Sequence, residues 1–469
     1  MNHGSSARVR DVLRAWVAQA PAGARLPSSR TLVADLAVSP LTVQAAVRAL
    51  VAEGLVETRP GVGTFVRATR PHRRADHAWQ TAALGAPPAA GVRLPAVQRD
   101  PAPGAIALQG GYPTGELLPE RLVRAALARA SRSPAATARV PAAGLPDLRA
   151  WFAADLAGDD PAGPSAHDVV VLPGSQSGLG SVFRAVVRPG APLLVESPTY
   201  WGAVLAAAQA GARLVPVPSG PHGPDPDDVA RAFEESGARA FYAQPTYANP
   251  TGAQWTPGRA RAVHEVVVRY GAFLVEDDWA HDLAIDTCPE PLARHDEDGH
   301  VVHLRSLTKS VSPALRVAAV VARGPVRDRL LADHAAQSMY VSGVLQAAAL
   351  DVVTQPAWRT HLRGLGPALR TRRDLLLAAL REHAPQLEVE HVPPGGLGLW
   401  ARLPDGTDAT AFARACESRG VLVGPGDEWF PAEPAAPYVR LTYGGPDVAR
   451  FGEAARVLGE VLSEGGASG

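Results

Sequence analysis

Residues 301–317 read VVHLRSLTKSVSPALRV. The first residues are rich in β-branched and leucine side chains and favour a strand. Ser306, Thr308, Lys309 and Ser310 then crowd the strand's end, and Arg316 follows seven residues after Lys309. Lys309 is the only lysine in a chain of 469 residues that holds 46 lysines and arginines. Abundant Ala, Pro and Gly fit a GC-rich genome, in which Arg replaces Lys wherever any positive charge serves. A position that keeps Lys then points to a primary amine that can lose its proton and form a Schiff base. The competing reading is a surface lysine left by chance. Two hydroxyls, a lysine and an arginine make a coherent aldehyde-plus-phosphate site, with Lys309 forming the imine and Ser306 and Arg316 binding phosphate.

Working outward, VVVLPGSQSGL at 169–179 runs from strand into helix. Gly174, Ser175 and Gln176 would set backbone N–H groups at a helix N-terminus, where an anion can sit. Glu276-Asp277-Asp278-Trp279 ends another strand. A carboxylate there can keep a pyridinium nitrogen protonated, although a helix cap is the commoner use. Pro245–Gly252, PTYANPTG, is a rigid turn that offers the Asn249 amide to a ring oxygen, and Glu196–Tyr200, ESPTY, offers Tyr200 as a stacking ring. Short β-rich runs at 169–172, 193–196, 240–243, 273–276, 301–304 and 317–321 alternate with helical segments, which predicts a mainly parallel α/β sheet. An Arg-rich helix is expected over 356–384, and strands near 397–402 and 438–443 suggest a smaller α+β unit.

The N-terminal region differs in charge. Residues 1–75 hold 11 Arg against 4 acidic residues, while the whole chain has a formal net charge of zero. A basic head on an acidic body suits a polyanion. Residues 8–20 predict an amphipathic helix with Val9, Val12, Leu13, Trp16 and Val17 on one face. Ser28 can cap a short helix through Leu36. Ser39, with Pro40 at the first helical position, can cap a second whose buried stripe is Val43, Val47, Leu50 and Val51. A hairpin turns around Pro60-Gly61-Val62. This order predicts a winged helix-turn-helix. Residues 70–104 are rich in Pro, Ala and Arg and read as a linker. The two cysteines, Cys288 and Cys416, have no metal-like spacing. No apolar run approaches a membrane span and no signal segment opens the chain, so a cytoplasmic protein with no membrane contact and no bound metal is expected.

Residues 105–469 resemble the fold-type I, pyridoxal-phosphate-dependent aminotransferases of class I. The resemblance rests on Gly111, Gly174-Ser175-Gln176, Tyr200, Asn249-Pro250-Thr251-Gly252, Asp277, Ser306-x-x-Lys309, Arg316 and Arg440, in that order. Residues 1–69 resemble the GntR-type winged helix-turn-helix, carried by LPSSRTLVADLAVSPLTV and AEGLVETRPGVGTFV. Together they resemble the MocR/GabR transcriptional regulators: an α-rich winged head on an α/β fold-type I body.

That resemblance implies roles. Lys309 would hold the cofactor pyridoxal 5'-phosphate as an aldimine, and Asp277 would pair with its ring nitrogen. Asn249 would meet the ring oxygen, and Tyr200 would stack on the ring. Ser175, Gln176, Ser306 and Arg316 would hold the phosphate. Arg440, with Gly111 and Asn249, would receive the carboxylate of an amino-acid or amine effector. Ser29, Arg30, Thr42, Gln44 and Arg59 would contact operator DNA. Trp279 stands where relatives carry Tyr, so an indole donor replaces a phenol beside the cofactor. Arg139 stands near the place where relatives reach the neighbouring subunit's phosphate. A homodimeric, ligand-responsive regulator is the leading expectation, and a catalytically competent aminotransferase is the alternative.

Overall fold

The computed structural model describes residues 3–67, 83, 95–445 and 447–465. The chain divides into two units, Met1–Pro88 and Ala89–Gly469. Most of the stretch read as a linker lies outside the described residues. Its end does not behave as a free tether. Ala96 is buried and donates its N–H to Glu428 at 2.8 Å, and Arg99 pairs with Glu417 at 3.0 Å.

The head begins with α1 (His3–Gln19), which buries Val9, Leu13 and Val17 but leaves Val12 exposed. Helix α2 (Ser29–Leu36) starts after Ser28, whose hydroxyl accepts the Thr31 N–H at 3.1 Å. Helix α3 (Pro40–Ala52) starts after Ser39, whose hydroxyl accepts the Thr42 N–H at 3.2 Å. The expected stripe on α3 needs correction. Thr42, Val43, Ala46 and Leu50 are its buried residues, Val47 is half-buried, and Val51 is exposed. At 100° per residue, 43, 46 and 50 share a face from which 51 has already turned away. Strands β1 (Val56–Arg59) and β2 (Gly63–Val66) pair antiparallel as the wing.

The body opens with β3 (Ile106–Ala107). Its main sheet comprises β4 (Val169–Leu172), β5 (Pro192–Ser197), β6 (Arg213–Gly220), β7 (Gly223–Pro224), β8 (Ala240–Ala243), β9 (Phe273–Asp278), β10 (Val301–Ser306) and β11 (Ala318–Val321). The order is β4-β11-β10-β9-β8-β5-β6-β7. The central pairs are parallel, and β11 runs antiparallel to both β4 and β10. Residues along each strand alternate between two cores. Val169, Val171, Leu194 and Phe241 lie in one; Val170, Leu172, Val195 and Tyr242 lie in the other. Helices cover both faces, so these strands read as continuous apolar runs.

Strand β6 escaped the sequence reading because Pro216 and Pro218 interrupt it. Prolines are tolerated there because β6 lies near the sheet's edge, where β7 pairs only with Ser219 and Gly220. A smaller sheet joins β12 (Gly398–Arg402), β15 (Tyr438–Thr442) and β14 (Gly424–Pro425), while β13 (Val421–Leu422) pairs with β3. The long helix Pro356–His383 and the last helix, Phe451–Gly465, pack in a third core, beside this smaller sheet. Among the described residues, no single helix is long and apolar enough to cross a membrane.

Candidate functional site

The polar residues of the body gather at one edge of the large sheet. Gly174 follows β4, Gln244 follows β8, Asp277 lies near the end of β9 and Ser306 ends β10. All four strands run in the same direction, so their carboxyl ends open on one crevice, the usual place for a ligand in an open α/β sheet. The cavity there is walled by Tyr200, Asn249, Asp277, Trp279, Lys309 and Arg440, with Gly111 and Ser175 also facing it.

Lys309 donates to the Gly111 carbonyl at 2.6 Å and lies 3.3 Å from the centre of the Tyr112 ring. Loss of hydration, then the charges of Arg440 and Arg316, hold its amine well below the ordinary lysine range; Asp277 opposes them. A neutral amine is the form that attacks an aldehyde.

Asp277 is buried. Tyr242 Oη and Gln244 Nε2 both donate to its Oδ2 at 2.8 Å, while Oδ1 has no partner. Burial pushes this carboxyl up to about 6, against the pull of the two donors. Its neighbours are already committed. Glu276 accepts from the N–H groups of Leu292 and Ala293 and sits 3.0 Å from His303 Nδ1. Asp278 lies 2.7 Å from His281 Nδ1. Burial raises Asp278, but His281, His303 and Arg305 outweigh it and hold the carboxyl well below the usual range. Asp278 Oδ1 is also without a partner, but of the three consecutive acids only Asp277 lines the cavity. The Asn249 Oδ1 is likewise buried without a partner.

Gln176 accepts from Tyr200 Oη at 2.9 Å and donates to the Gly202 carbonyl at 2.8 Å. Its side chain therefore fixes the Tyr200 ring, while its backbone lies in the uncapped first turn of the helix Ser175–Val186. Gly174, at φ 91°, precedes the helix Ser175–Val186, whose first N–H groups receive no side-chain cap. The Arg316 guanidinium lies so close to Gly174 that a Cβ at 174 would overlap it. Open helix donors beside an arginine suit a phosphate. Ser306 is buried, and its hydroxyl accepts the Thr308 N–H at 3.3 Å.

Arg440 lies on β15. It donates to the carbonyls of Gly110 at 3.0 Å and Gln109 at 3.4 Å, and desolvation lowers it to about 10. No carboxylate among the described residues pairs with this buried cation, and it faces the cavity. The single donor of Trp279 is spent on the Tyr247 carbonyl at 3.2 Å, so its ring, not its N–H, contributes to the site. Arg139 is exposed and does not line the cavity.

In the head, Ser29 and Arg30 are exposed at the start of α2, and Gln44 is exposed on α3. Arg59 is exposed too, bonded to Glu57 and stacked 4.8 Å above Phe65. Thr42 must be withdrawn from the expected DNA contacts. It is only 9% exposed, and its hydroxyl lies 2.8 Å from Ser39 Oγ, inside the cap of its own helix.

The sequence pattern of aminotransferase class I and II matches residues 108–458, and that of the bacterial regulatory proteins of the gntR family matches residues 5–66. The chain belongs to the class I and II aminotransferase family. It is 30% identical over 368 residues to a 2-aminoadipate transaminase of Thermus thermophilus, covering 77% of this chain and 90% of that one. It is 28% identical over 432 residues to a probable rhizopine catabolism regulatory protein, MocR, of Rhizobium meliloti, covering 91% and 87%. The crystal structure of LysN, an α-aminoadipate aminotransferase from Thermus thermophilus complexed with N-(5'-phosphopyridoxyl)-L-leucine, superposes with a TM-score of 0.73 at 27% identity, covering 80% of this chain and 97% of that one.

A gntR winged helix fused to this body is the MocR-type architecture, and the cofactor of the body is pyridoxal 5'-phosphate. The orphaned Asp277 Oδ1, the uncapped helix start and the buried lysine amine all fit that group. Sequence reasoning passed over several residues of this site. Tyr242 and Gln244 aim Asp277; Tyr112 and Trp429 wall the cavity, as do Val97 and Gln98. Gln244 directly precedes the Pro245–Gly252 turn, so a polar residue between strand and motif was the available signal. Val97 and Gln98 had none, because their composition is that of a linker.

Proposed function

We propose that the chain is a ligand-responsive transcriptional regulator of the MocR type. The head binds operator DNA, and the body senses pyridoxal 5'-phosphate or an amino-acid or amine ligand that reacts with it. One observation carries the sensing half of this reading. The pocket that contains Lys309 and Arg440 also has Val97 and Gln98 in its wall, and the chain runs from those residues toward the head. A ligand filling the pocket would press on the segment that leads to the tether.

When bound, pyridoxal 5'-phosphate supplies an aldehyde that captures amines and a ring that withdraws electrons. Lys309 would carry it through its unprotonated amine, and Asp277 Oδ1 would hold the proton of the ring nitrogen. Asn249 would bond the ring oxygen, and Tyr200, steadied by Gln176, would face the ring. The helix start at Ser175, with Ser306 and Arg316, would take the phosphate. Arg440 would clamp a ligand's carboxylate by paired hydrogen bonds. Trp279 would enclose the ring without tuning it by a hydrogen bond. The protein would act in the cytoplasm as a homodimer.

Aminotransferase catalysis is the second reading, favoured by the presence of Lys309, Asp277 and Arg440 together. One set of measurements separates the two. The full-length protein supplied with cofactor should show a visible absorption band that Lys309→Ala and Lys309→Arg both lack, because a guanidinium does not condense with the aldehyde at neutral pH. Titration with amino acids should change both this band and the affinity for the protein's own upstream DNA. DNA affinity no better than for random duplex, combined with turnover of about 1 per second or more on an amino donor and a keto acid, would establish the enzyme instead.

A further inference from the structure

Helix α3 turns four side chains inward at Thr42, Val43, Ala46 and Leu50. Its outward face carries Leu41, Gln44 and Arg48, spaced i, i+3 and i+7. Leu41 is 72% exposed, the highest exposure among the large apolar side chains of the described residues. It occupies the second position of the helix, directly after Pro40, on the same face as Gln44 and Arg48. Gln44, Arg48, Ser29 and Arg59 line one groove between the helices and the wing. Leu41 is thus an apolar side chain at the start of the second helix, on the face that carries Gln44 and Arg48, where it is free to meet an apolar group of whatever that face contacts.

In helix-turn-helix proteins the first residues of the second helix meet base edges in the major groove. Only one base presents an apolar group there: thymine, through its 5-methyl. Leu41 has neither donor nor acceptor. Against any other base edge it would strip water from polar atoms and return nothing. Arg48 and Arg59, which line the groove between the helices and the wing, supply the charge complement to phosphates.

We propose that Leu41 is a specificity-determining residue of the head. It packs on the 5-methyl group of a thymine in the major groove and so selects thymine over cytosine at one position of the operator. Gln44 and Arg48 read the positions that follow along the same helix face. The proposal rests on the regulator reading and adds which base the helix start recognises.

The test uses the full-length protein and duplexes it enriches from a random pool. Each thymine of the enriched sequence is replaced in turn by deoxyuridine, which deletes the methyl and nothing else. Affinity is read by fluorescence anisotropy at fixed salt. The expected result is one thymine per repeat of the site at which deoxyuridine weakens the parent protein about four-fold, the worth of one buried methyl. Leu41→Ala should be weakened by at least that much on thymine and be indifferent to deoxyuridine there. Changing that thymine to cytosine should weaken the parent more, and 5-methylcytosine should recover part of the loss. Leu41 is exposed, so Leu41→Ala should keep the parent's fold, checked by its circular dichroism and its visible band. Deoxyuridine effects that do not depend on residue 41 would overturn the proposal while leaving the regulator reading intact. Failure to enrich any sequence would overturn both. Unchanged DNA affinity in Leu41→Ala together with a lower sedimenting mass would assign the side chain to an interface between copies and overturn the proposal.

Discussion

Glu276, Asp277 and Asp278 are three consecutive acids, and their surroundings separate them. Glu276 is held by backbone donors and His303, and Asp278 keeps one oxygen on His281 away from the cavity, whereas Tyr242 and Gln244 hold one oxygen of Asp277 and leave the other open in the cavity wall. Its burial has a pH consequence. A carboxyl whose pKa is higher folded than unfolded gives stability that is complete below about 4 and is lost as pH rises through about 6. Asp277→Asn removes that titration. In cofactor-free protein, the variant should therefore gain stability relative to the parent as pH rises from 4 to 7, by at most about 3 kcal/mol. Thermal unfolding across this range checks it, and a difference independent of pH would refute it. Gly202 gives a second expectation. A Cβ at 202 would overlap both the Gln176 amide oxygen and the Tyr200 ring. Gly202→Ala should displace that ring and weaken cofactor binding about ten-fold or more, roughly 1.4 kcal/mol, as read by equilibrium titration of the visible band.

Helix α3 illustrates what a cap does beyond starting a helix. Ser39 satisfies the Thr42 N–H, and its hydroxyl also engages the Thr42 hydroxyl, which draws that side chain inward. The outward face is then Leu41, Gln44 and Arg48. Ser39→Ala should cost the head about 1 kcal/mol, and release of Thr42 should perturb the outward face proposed above to meet DNA. Hydrogen exchange of the α3 amides in the full chain should accelerate by about five-fold, and unchanged exchange would show that the cap contributes nothing there. Strand β6 teaches the converse lesson. Its prolines argue against a strand on local grounds, and only its place near the sheet's edge makes them acceptable.

At the scale of the molecule, the boundary between tether and body decides which fragment keeps its site. Residues 95–104 look like linker, yet Ala96 is bonded to Glu428 and Val97 and Gln98 wall the pocket. A fragment of residues 89–469 should bind cofactor as the full chain does, sediment as a dimer of its own mass and lose DNA binding. A fragment of residues 105–469 lacks that wall and should bind ligand amines more weakly, by about ten-fold, the worth of roughly 1.4 kcal/mol of contact. Equal affinities of the two fragments for the same amine would mean that the tether end does not sense the pocket.

Much of this protein was legible in its letters. A lone lysine among arginines, the turn after β4, the acidic end of β9 and the two serine caps carry chemistry or backbone geometry that is local, so a few adjacent residues suffice to specify them. The parallel sheet was legible for the same reason, since apolar runs buried on both faces leave a continuous signature. Tertiary structure decided the rest. It put Asp277, and neither acid beside it, on the cavity wall, set the Gln176 side chain on Tyr200, spent the Trp279 donor on a carbonyl, and drew Thr42 inward. It also carried Val97 and Gln98 into the pocket wall. Each of those outcomes depends on which distant atom arrives to satisfy a donor, an acceptor or a surface, and spacing along the chain does not encode that arrival.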